Sequence, residues 1–362
     1  MKRVILGMSG GVDSSVAAAI LLEQGYEVAG LFMRNWEERD IDGVCTAEED
    51  FADVKSVASK LGIPYYTVNF AKEYEERVFK EFVDGYQNGR TPNPDVLCNR
   101  EIKFGLFYDY AMSLGADYVA TGHYCNVSVE DGIAYLKTAK DTDKDQTYFL
   151  NQVRGEKLKN VLFPIGSMVK SEVRAIAEKY GFRTAVKKDS TGICFIGERN
   201  FRSFLSQYIP MKAGDILDLE GNKVGRHNGV YYYTLGQRRG LGIGGTADGD
   251  GRWFVVSRDV KNNVLYVSHG DETPLYSSEL TCTDFNFISG TRIMDGTPGC
   301  ASPTGFRCSA RIRHRQPPQD AAAYIEGDTV RVIFDRSQRA IATGQYCVLY
   351  VRDICVGGGV IV

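Results

Sequence analysis

The 362 residues of the chain are enough for two or three domains, since a typical domain has about 100–200 residues. Hydrophobic residues make up 43% of the sequence and charged residues 25%, a globular composition that excludes a wholly disordered or fibrous chain. The formal net charge of −3 excludes a strongly basic protein, so a polyanion could bind only at a local basic patch.

The expected compartment is the cytoplasm. The longest apolar run covers residues 16–22, well short of the ~18 residues of a membrane helix. Residues 4–6 are too short an apolar run for the core of a signal peptide. The nine cysteines include no Cys-x-x-Cys pair and there are only four histidines, which predicts free thiols, some of them catalytic, and no structural zinc site.

The first part of the chain alternates between strand and helix patterns. Short apolar runs predict strands at residues 4–6, 27–33, 65–70 and 117–121. Helical composition is found at residues 13–24, 48–61, 71–84 and 99–114. This alternation predicts an α/β catalytic domain over residues 1–200, built on a doubly wound parallel sheet with helices on both faces.

The pattern changes near residue 200. Residues 201–270 are rich in Gly, Tyr and Val and carry nine basic and six acidic side chains, a local charge of +3. They predict a small mixed central domain over residues 201–270. Residues 271–362 contain only short strand patterns, such as 329–334 and 346–351, which predict an all-β barrel or sandwich, with the barrel preferred.

The most informative local motif is Ser-Gly-Gly-Val-Asp-Ser-Ser at residues 9–15, between the first strand and the first helix. Two glycines allow a tight turn close to an anion, and the helix N-terminus directs N–H groups and a positive dipole end towards it. Asp13 is expected either to cap the helix or to help hold Mg²⁺. The alternative is a glycine-rich turn with no ligand.

This motif resembles the nucleotide loop of the N-type ATP pyrophosphatases, which cleave ATP to AMP and pyrophosphate while adenylating a substrate oxygen. The resemblance implies a contact with adenine at the backbone around Met33 and a further nucleotide contact at Gly122. The residues implied to cradle the triphosphate are Gly7, Met8, Ser9, Gly10, Gly11, Val12, Asp13 and Ser14.

Further motifs narrow the resemblance. They are Asn-Pro-Asp-Val-Leu-Cys-Asn-Arg-Glu-Ile-Lys-Phe at residues 93–104, Thr-Gly-His-Tyr at 121–124, Lys-Asp-Gln-Thr-Tyr-Phe-Leu at 144–150, Asp-Ser-Thr-Gly-Ile-Cys-Phe-Ile at 189–196 and Tyr-Thr-Leu-Gly-Gln-Arg-Arg-Gly-Leu-Gly at 233–242. In this order, over essentially the whole chain, they resemble the tRNA-specific 2-thiouridylases. The resemblance implies catalytic roles for Cys98, Cys194 and Asp95. It also implies that the central domain, residues 201–270, helps to hold tRNA. The residues implied to contact tRNA are Asn93, Pro94, Asp95, His123, Lys144, Asp145, Gln146, Arg313, His314 and Gln345.

The residue types suit these roles. Asp95 and Cys98 are three residues apart and would share a helix face if a helix begins there. The helix N-terminus would then favour a thiolate at Cys98, which the charge of Asp95 would oppose. Asp95 suits proton transfer with a uridine, and Cys194, in a loop expected to be mobile, suits a sulfur carrier. Alternatives remain open: His123 can be a satisfied buried histidine, and residues 144–146 a solvated turn. The other seven cysteines are interpreted as small buried hydrophobes.

The sequence contains two weaker signals, an arginine pattern and a second glycine motif. Arg307, Arg311, Arg313 and Arg315 lie at alternating positions, which on a strand would form a basic stripe for RNA, or simply a solvated face. Residues 240–245 match Gly-x-Gly-x-x-Gly, the pattern of dinucleotide loops, but strand-like residues 253–256 follow and no helix opens there. The dinucleotide interpretation is therefore rejected.

The sequence thus predicts ATP- and Mg²⁺-dependent 2-thiolation of a tRNA wobble uridine. Sulfur would arrive as a persulfide on Cys194, and Cys98 would help to release it, through a disulfide with Cys194. The expected donor is a cysteine desulfurase or a sulfur-relay protein. Two other functions are weighed: an enzyme that adenylates a small molecule, and an RNA-binding scaffold with a relict nucleotide loop.

Overall fold

The computed structural model describes residues 1–36, 46–188, 201–244, 251–290 and 305–362. Its first domain is built on a five-stranded, all-parallel sheet with the order β3-β2-β1-β4-β7. Val4, Ile5 and Leu6 are fully buried, as expected for a strand that is covered on both faces. The strands of this sheet are β1 (Arg3–Gly7), β2 (Glu27–Arg34), β3 (Tyr65–Asn69), β4 (Tyr118–Ala120) and β7 (Val161–Leu162).

The helices of the first domain largely follow the predicted ones. Two predicted helices, at residues 71–84 and 99–114, each contain a π-helical stretch, at Glu75–Phe79 and at Asn99–Phe107. Single-turn π segments are often found near functional sites. The helices are α1 (Val12–Glu23), α2 (Thr46–Leu61), α3 (Ala71–Tyr74), α4 (Lys80–Gln87), α5 (Pro94–Cys98), α6 (Tyr108–Ser113), α7 (Gly155–Leu158) and α8 (Lys170–Lys179), with 3₁₀ turns at Thr147–Leu150 and Arg183–Val186.

The central part is small and mixed, as predicted. Its four-stranded sheet has the order β10-β11-β8-β9, and β8 pairs in parallel with β11. The elements are α9 (Phe201–Leu205), β8 (Gly214–Leu217), β9 (Lys223–His227), a 3₁₀ turn at Val230–Tyr232, β10 (Trp253–Asp259) and β11 (Val264–His269).

The C-terminal part is the predicted barrel. Six antiparallel strands follow one another in the order β12-β15-β14-β13-β16-β17, and pairing of β12 with β17 closes the sheet, so the barrel leaves no open edge. After a 3₁₀ turn at Thr273–Leu275, its strands are β12 (Tyr276–Phe287), β13 (Gly305–Arg311), β14 (Gln319–Glu326), β15 (Thr329–Arg339), β16 (Tyr346–Val351) and β17 (Ile354–Ile361).

A β-hairpin that the sequence analysis missed joins the first domain to this barrel. It consists of β5 (Asn126–Glu130) and β6 (Ile133–Lys137), and β6 pairs with the start of β17. The barrel also contacts the first domain through Arg311, which donates to Asp145 at 3.0 Å. The two side chains are only 10% and 1% exposed. The first domain and the barrel therefore share backbone pairing and a buried ion pair.

The predicted basic stripe is wrong. Strand β13 ends at Arg311, so Arg313 and Arg315 do not continue its alternation. Arg307 pairs with Asp335, and Arg311 is buried against Asp145. The acidic partners come from distant parts of the sequence, which explains why the local pattern contained no acid.

Among the described residues, no helix is long and apolar enough to cross a membrane.

Candidate functional site

The glycine loop turns sharply between β1 and α1. Gly10 has φ +75°, and a Cβ there would lie 2.4 Å from the carbonyl oxygen of Asp50, so only glycine fits. Gly11 is the N-cap of α1, and the Ser15 hydroxyl donates to its carbonyl oxygen at 2.8 Å. The Ser9 backbone N–H donates to the Ser14 hydroxyl at 3.2 Å. The loop is thus held in shape by its own residues, with the N-terminus of a 12-residue helix behind it.

Asp13 lies in the first turn of α1 but does not cap it, contrary to one of the two expectations. Its carboxylate accepts from Lys170 Nζ at 2.7 and 2.9 Å and from the Tyr124 hydroxyl at 2.9 Å. Lys170 is the first residue of α8, and its ammonium group also lies over the Tyr124 ring. A lysine and a carboxylate therefore face each other beside the loop.

The other two predicted nucleotide contacts lie at the same edge of the sheet. A Cβ on Gly122 would lie 2.8 Å from the Ser14 nitrogen, so the residues after β4 pack directly on the N-terminus of α1. Met33, near the end of β2, is half-buried and its methyl group approaches Gly7. The structure thus brings together the predicted set from Gly7 to Ser14, Met33 and Gly122 at the carboxyl ends of β1, β2 and β4, where open α/β sheets bind ligands.

Lys187 also contacts the glycine loop, through the Gly10 carbonyl oxygen. Its ammonium group donates to the Gly10 carbonyl oxygen at 3.1 Å and to Asp50 and Asp53 at 2.6 Å each. These partners raise its pKa against the lowering effect of burial. Lys187 precedes by two residues the segment 189–200, which carries Cys194 and lies outside the described residues.

The helix α5 carries the other predicted catalytic residues. Asn93 is its N-cap, and its side-chain oxygen accepts from the Asp95 and Val96 nitrogens at 3.2 and 3.3 Å. Pro94 occupies the first position, where the missing N–H has no cost. Cys98 ends α5 and is 4% exposed. The helix therefore begins at Pro94, five residues before the predicted start at Asn99. Cys194 lies outside the described residues, so its pairing with Cys98 stays a prediction.

The environment of α5 favours neutral forms of two titratable groups. Burial raises the pKa of the Asp95 carboxyl, against the opposing charge of Lys103. Burial, and to a lesser degree the charge of Lys103, hold the pKa of His123 well below its ordinary value. The His123 ring bonds the Thr121 hydroxyl at 2.8 Å and packs against Phe104. A carboxyl group with a raised pKa suits proton transfer near neutral pH.

The remaining predicted tRNA contacts lie close to one another. Gln146 accepts from the Tyr124 nitrogen at 2.9 Å, and His314 packs on Phe149 with ring centroids 4.3 Å apart. Gln345 contacts the Tyr148 hydroxyl at 3.5 Å and donates to the Thr91 carbonyl oxygen at 2.8 Å.

Two charged members of this predicted set have internal partners. The Asp145 side chain is buried and engaged by Arg311 and by the Ala139 nitrogen, so the expectation of a solvated turn is wrong at this residue. The exposed Arg313 donates to the Ala340 carbonyl oxygen. Lys144 is half-buried in the same segment.

Several residues of the site were not singled out from the sequence. Lys170, Tyr124 and Lys187 bind the glycine loop or its aspartate, and Lys103 acts electrostatically on Asp95 and His123. Only Tyr124 and Lys103 fall within the quoted motifs, and no spacing rule links Lys170 or Lys187 to residues 9–15.

The interpretation of cysteines as buried hydrophobes is confirmed for Cys125, Cys282, Cys308, Cys347 and Cys355; Cys45 and Cys300 lie outside the described residues. No group of three or more potential metal ligands occurs among the described residues.

Comparison with known proteins agrees with this architecture. Residues 2–198 match a family model described as a tRNA methyl transferase HUP domain, residues 202–269 a tRNA methyl transferase PRC-barrel domain, and residues 277–361 an aminomethyltransferase β-barrel domain. Fold and site together define an α/β enzyme of the HUP class that carries two β-rich domains.

Curated relatives identify the family within this class. The chain is 53% identical over 361 residues to the tRNA-specific 2-thiouridylase MnmA of Streptococcus uberis, covering 99% of this chain and 95% of the relative. It is 54% identical over 363 residues to that of Staphylococcus aureus, with the same coverage, and 52% identical over 361 residues to that of Alkaliphilus oremlandii, covering 99% and 96%. The chain belongs to the tRNA-specific 2-thiouridylase family, a family of tRNA-uridine sulfurtransferases.

Proposed function

We propose that the protein catalyses ATP-dependent 2-thiolation of the wobble uridine of tRNA. One observation carries the proposal: consecutive residues after β4 contact both predicted constellations. Gly122 packs on the N-terminus of α1 and Tyr124 bonds Asp13, while His123 packs on Phe104, nine residues after Asp95. A nucleotide on the glycine loop and a base beside α5 would therefore lie on opposite sides of a single short segment.

The first step is adenylation of the base. The uridine C2 oxygen attacks the α-phosphorus of ATP, a C–O–P linkage forms, and pyrophosphate leaves. The Asp95 carboxylate accepts the N3 proton as the adenylate forms and returns it to N3 when 2-thiouridine is released; its raised pKa makes it a better base than an ordinary carboxylate. Lys170 is placed to neutralise phosphate charge, which would release Asp13 from its ion pair.

The residues beside the loop also fit Mg²⁺. Asp13 and the loop hydroxyls are hard oxygen donors, the ligands that Mg²⁺ prefers together with nucleotide phosphates. When bound, the ion neutralises charge on the pyrophosphate leaving group.

The second step transfers sulfur. The terminal sulfur of a persulfide on Cys194 attacks C2, and AMP leaves with the former C2 oxygen. The Cys98 thiolate then attacks Cys194 Sγ, which frees 2-thiouridine and leaves a Cys98–Cys194 disulfide. A dithiol reductant restores both thiols. The flipped-out base would have to reach α5, since Cys98 is buried.

The persulfide comes from a separate protein, a cysteine desulfurase or a sulfur relay. The sulfur carrier, which we propose is Cys194, must meet a donor outside the site and a substrate inside it. A cytoplasmic location fits a reaction on tRNA.

The test is thiolation measured by nucleoside mass spectrometry, with the full chain, unmodified tRNA, ATP, Mg²⁺ and a persulfide donor. We expect 2-thiouridine from the wild type and none from Cys98→Ser or Cys194→Ser. Cys308→Ser is the matched control, because Cys308 is a buried barrel cysteine whose Sγ lies 3.7 Å from the Ala321 carbonyl oxygen, which a hydroxyl can also bond. ATP cleavage without tRNA sulfur, unaffected by either variant, would instead indicate adenylation of a small molecule.

A further inference from the structure

Lys187 binds the glycine loop with an ammonium group whose donors are all used within the protein. An ammonium group has three N–H donors. Those of Lys187 are matched by three acceptors, the Gly10 carbonyl oxygen at 3.1 Å and carboxylate oxygens of Asp50 and Asp53 at 2.6 Å each. Asp53 is buried, with its side chain 7% exposed. The arrangement suits a group that holds the loop itself rather than one that binds a phosphate.

The bond to Gly10 fixes the direction of the next backbone donor. The Gly10 carbonyl group and the Gly11 N–H group belong to one trans peptide unit, in which they point in opposite directions. Since Lys187 holds the carbonyl oxygen on the side of α2, the Gly11 N–H points away from Lys187 and α2. Gly10 is buried, but Gly11 is partly exposed, and its N–H donates to no other described residue.

The glycines do not select this orientation by themselves. Gly10 has φ +75°, but glycine populates positive and negative φ about equally, so a Gly-Gly peptide unit can turn over at little cost. With the unit reversed, a carbonyl oxygen would replace the N–H on the exposed side and would repel an anion. The orientation therefore depends on an anchor outside the loop, and Lys187 supplies one.

A second anchor comes from the same short segment. The buried Thr184 hydroxyl donates to the Ser15 hydroxyl at 3.0 Å, and the Ser15 hydroxyl donates to the Gly11 carbonyl oxygen at 2.8 Å. The segment is held in turn by Arg174 of α8, which donates to the Lys187 carbonyl oxygen at 3.2 Å. Two successive carbonyl groups of the loop are thus bound on the protein side by residues 184–187.

We propose that Lys187 is a positioning residue for ATP, which orients the Gly10–Gly11 peptide unit so that the Gly11 N–H donates to the triphosphate. Backbone N–H groups at a glycine turn before a helix are the usual partners of phosphate oxygens. Lys187 would act through this donor without touching the nucleotide. The inference deepens the proposed function and rests on it, because it takes ATP as the ligand of the loop.

The test measures by calorimetry the affinity of the full-length protein for ATP with Mg²⁺ and, separately, for adenosine. For Lys187→Met we expect an affinity for ATP about tenfold lower, because a hydrogen bond to a charged group is lost. The affinity for adenosine should stay within about twofold of the wild-type value, because adenosine has no phosphate to contact the loop. In 2-thiouridine formation, the KM for ATP should rise by a similar factor and kcat should change little.

Three further variants serve as controls. Lys188→Met removes the same charge from the next residue, which is exposed, and should change the affinity for ATP less than about twofold. Lys187→Arg keeps donors for the same oxygens and should bind ATP within about threefold of the wild type. Lys187→Met/Asp53→Asn removes the buried charge that could prevent the single variant from folding, and it should keep the defect in ATP binding.

The possible outcomes separate the two proposals. Wild-type thiolation together with equal ATP affinity in Lys187→Met would overturn the inference alone. Equal losses of ATP and adenosine affinity would also overturn it, because a general distortion of the site would then be responsible. Recovery of ATP affinity in the double variant would overturn it as well, since repulsion by a carboxylate would explain the defect. Absence of ATP binding by the wild type would overturn both the inference and the proposed function.

Discussion

At the scale of single residues, the most telling contact is the one between Lys170 and Asp13. It joins the N-terminus of α8 to the first turn of α1, and both partners are largely buried, with side chains 13% and 31% exposed. A lysine held by a carboxylate beside a predicted triphosphate loop is kept in position without a nucleotide. In the proposed reaction it would exchange that carboxylate for phosphate oxygens of ATP.

Replacing Lys170 by Met should therefore slow tRNA-dependent pyrophosphate release from ATP about 10²–10³-fold, the usual effect of losing one preorganised charge in a site. Release is measured by a coupled phosphate assay. The matched control is Lys140→Met, because Lys140 pairs with Glu172 on the same helix at 3.2 Å but is exposed. Equal rates in the Lys170 variant and the control would contradict this assignment.

His123 gives a prediction about pH. Its pKa is well below the ordinary value of about 6.5 because of burial, so the unfolded chain binds a proton near pH 6 that the folded chain does not. The contribution of His123 to the free energy of unfolding is therefore fully present above about pH 6.5, and it is lost as the pH decreases below that value. The free energy of unfolding should therefore decrease between pH 7 and pH 5. Urea unfolding across this range measures it. His123→Gln should show a flatter dependence, and an unchanged slope in that variant would contradict the prediction.

At the scale of elements, the loop before α5 is where the parts of the chain converge. Arg258 on β10 donates to the Gly89 carbonyl oxygen at 2.7 Å and to the Thr91 hydroxyl at 3.3 Å. From the barrel, Gln345 donates to the Thr91 carbonyl oxygen. Asn93, the N-cap of α5, follows two residues later. The orientation of the helix that carries Asp95 and Cys98 is thus fixed by both β-rich parts.

Arg258 should therefore act as a positioning residue. Arg258→Ala should lower kcat for 2-thiouridine about tenfold, equivalent to ~1.4 kcal/mol, and leave the KM for ATP unchanged. Arg258→Lys should restore only part of the rate, since one ammonium group cannot reproduce the fork of a guanidinium group. Arg226→Ala is the control. A lower melting temperature with an unchanged kcat would show that the role is purely structural.

Local sequence patterns predict the elements whose signals are local. The glycine loop predicts the turn into α1. The helix predicted at residues 99–114 begins earlier, at Pro94, because Asn93 caps it and proline fits its first position. The hairpin β5–β6 was missed because its stability depends on pairing with β17, more than 200 residues away. The basic stripe failed because the strand ends at Arg311, whose partner Asp145 is 166 residues distant.

At the scale of the whole molecule, the first domain and the barrel form one structural unit. Besides the hairpin and the Arg311–Asp145 pair, the Gln152 amide donates to the Gly358 carbonyl oxygen at 2.6 Å, and the hydroxyl groups of Thr147 and Tyr350 are 3.2 Å apart. These contacts predict that unfolding of the two parts is coupled.

Breaking the buried ion pair tests this coupling. Arg311→Met leaves the Asp145 charge buried without its partner and should lower the free energy of unfolding by about 3–5 kcal/mol. The double variant Arg311→Met/Asp145→Leu should recover much of this loss. Arg307→Met, which removes an exposed arginine of the same strand from its pair with Asp335, should have a far smaller effect. Calorimetry should show one transition for both parts; separate transitions in the wild type would contradict the coupling.

The central claim is that tRNA is thiolated through an adenylated base and two cysteines that act in sequence. It is tested most directly by a single turnover of protein carrying ³⁵S-persulfide on Cys194, mixed with unmodified tRNA and ATP and separated on a denaturing gel. The wild type should give one labelled 2-thiouridine and one AMP per persulfide. Cys98→Ser should instead accumulate a labelled protein–tRNA adduct that a reducing agent cleaves to thiolated tRNA. Labelled free tRNA formed at the wild-type rate by Cys98→Ser, or without AMP, would contradict the account.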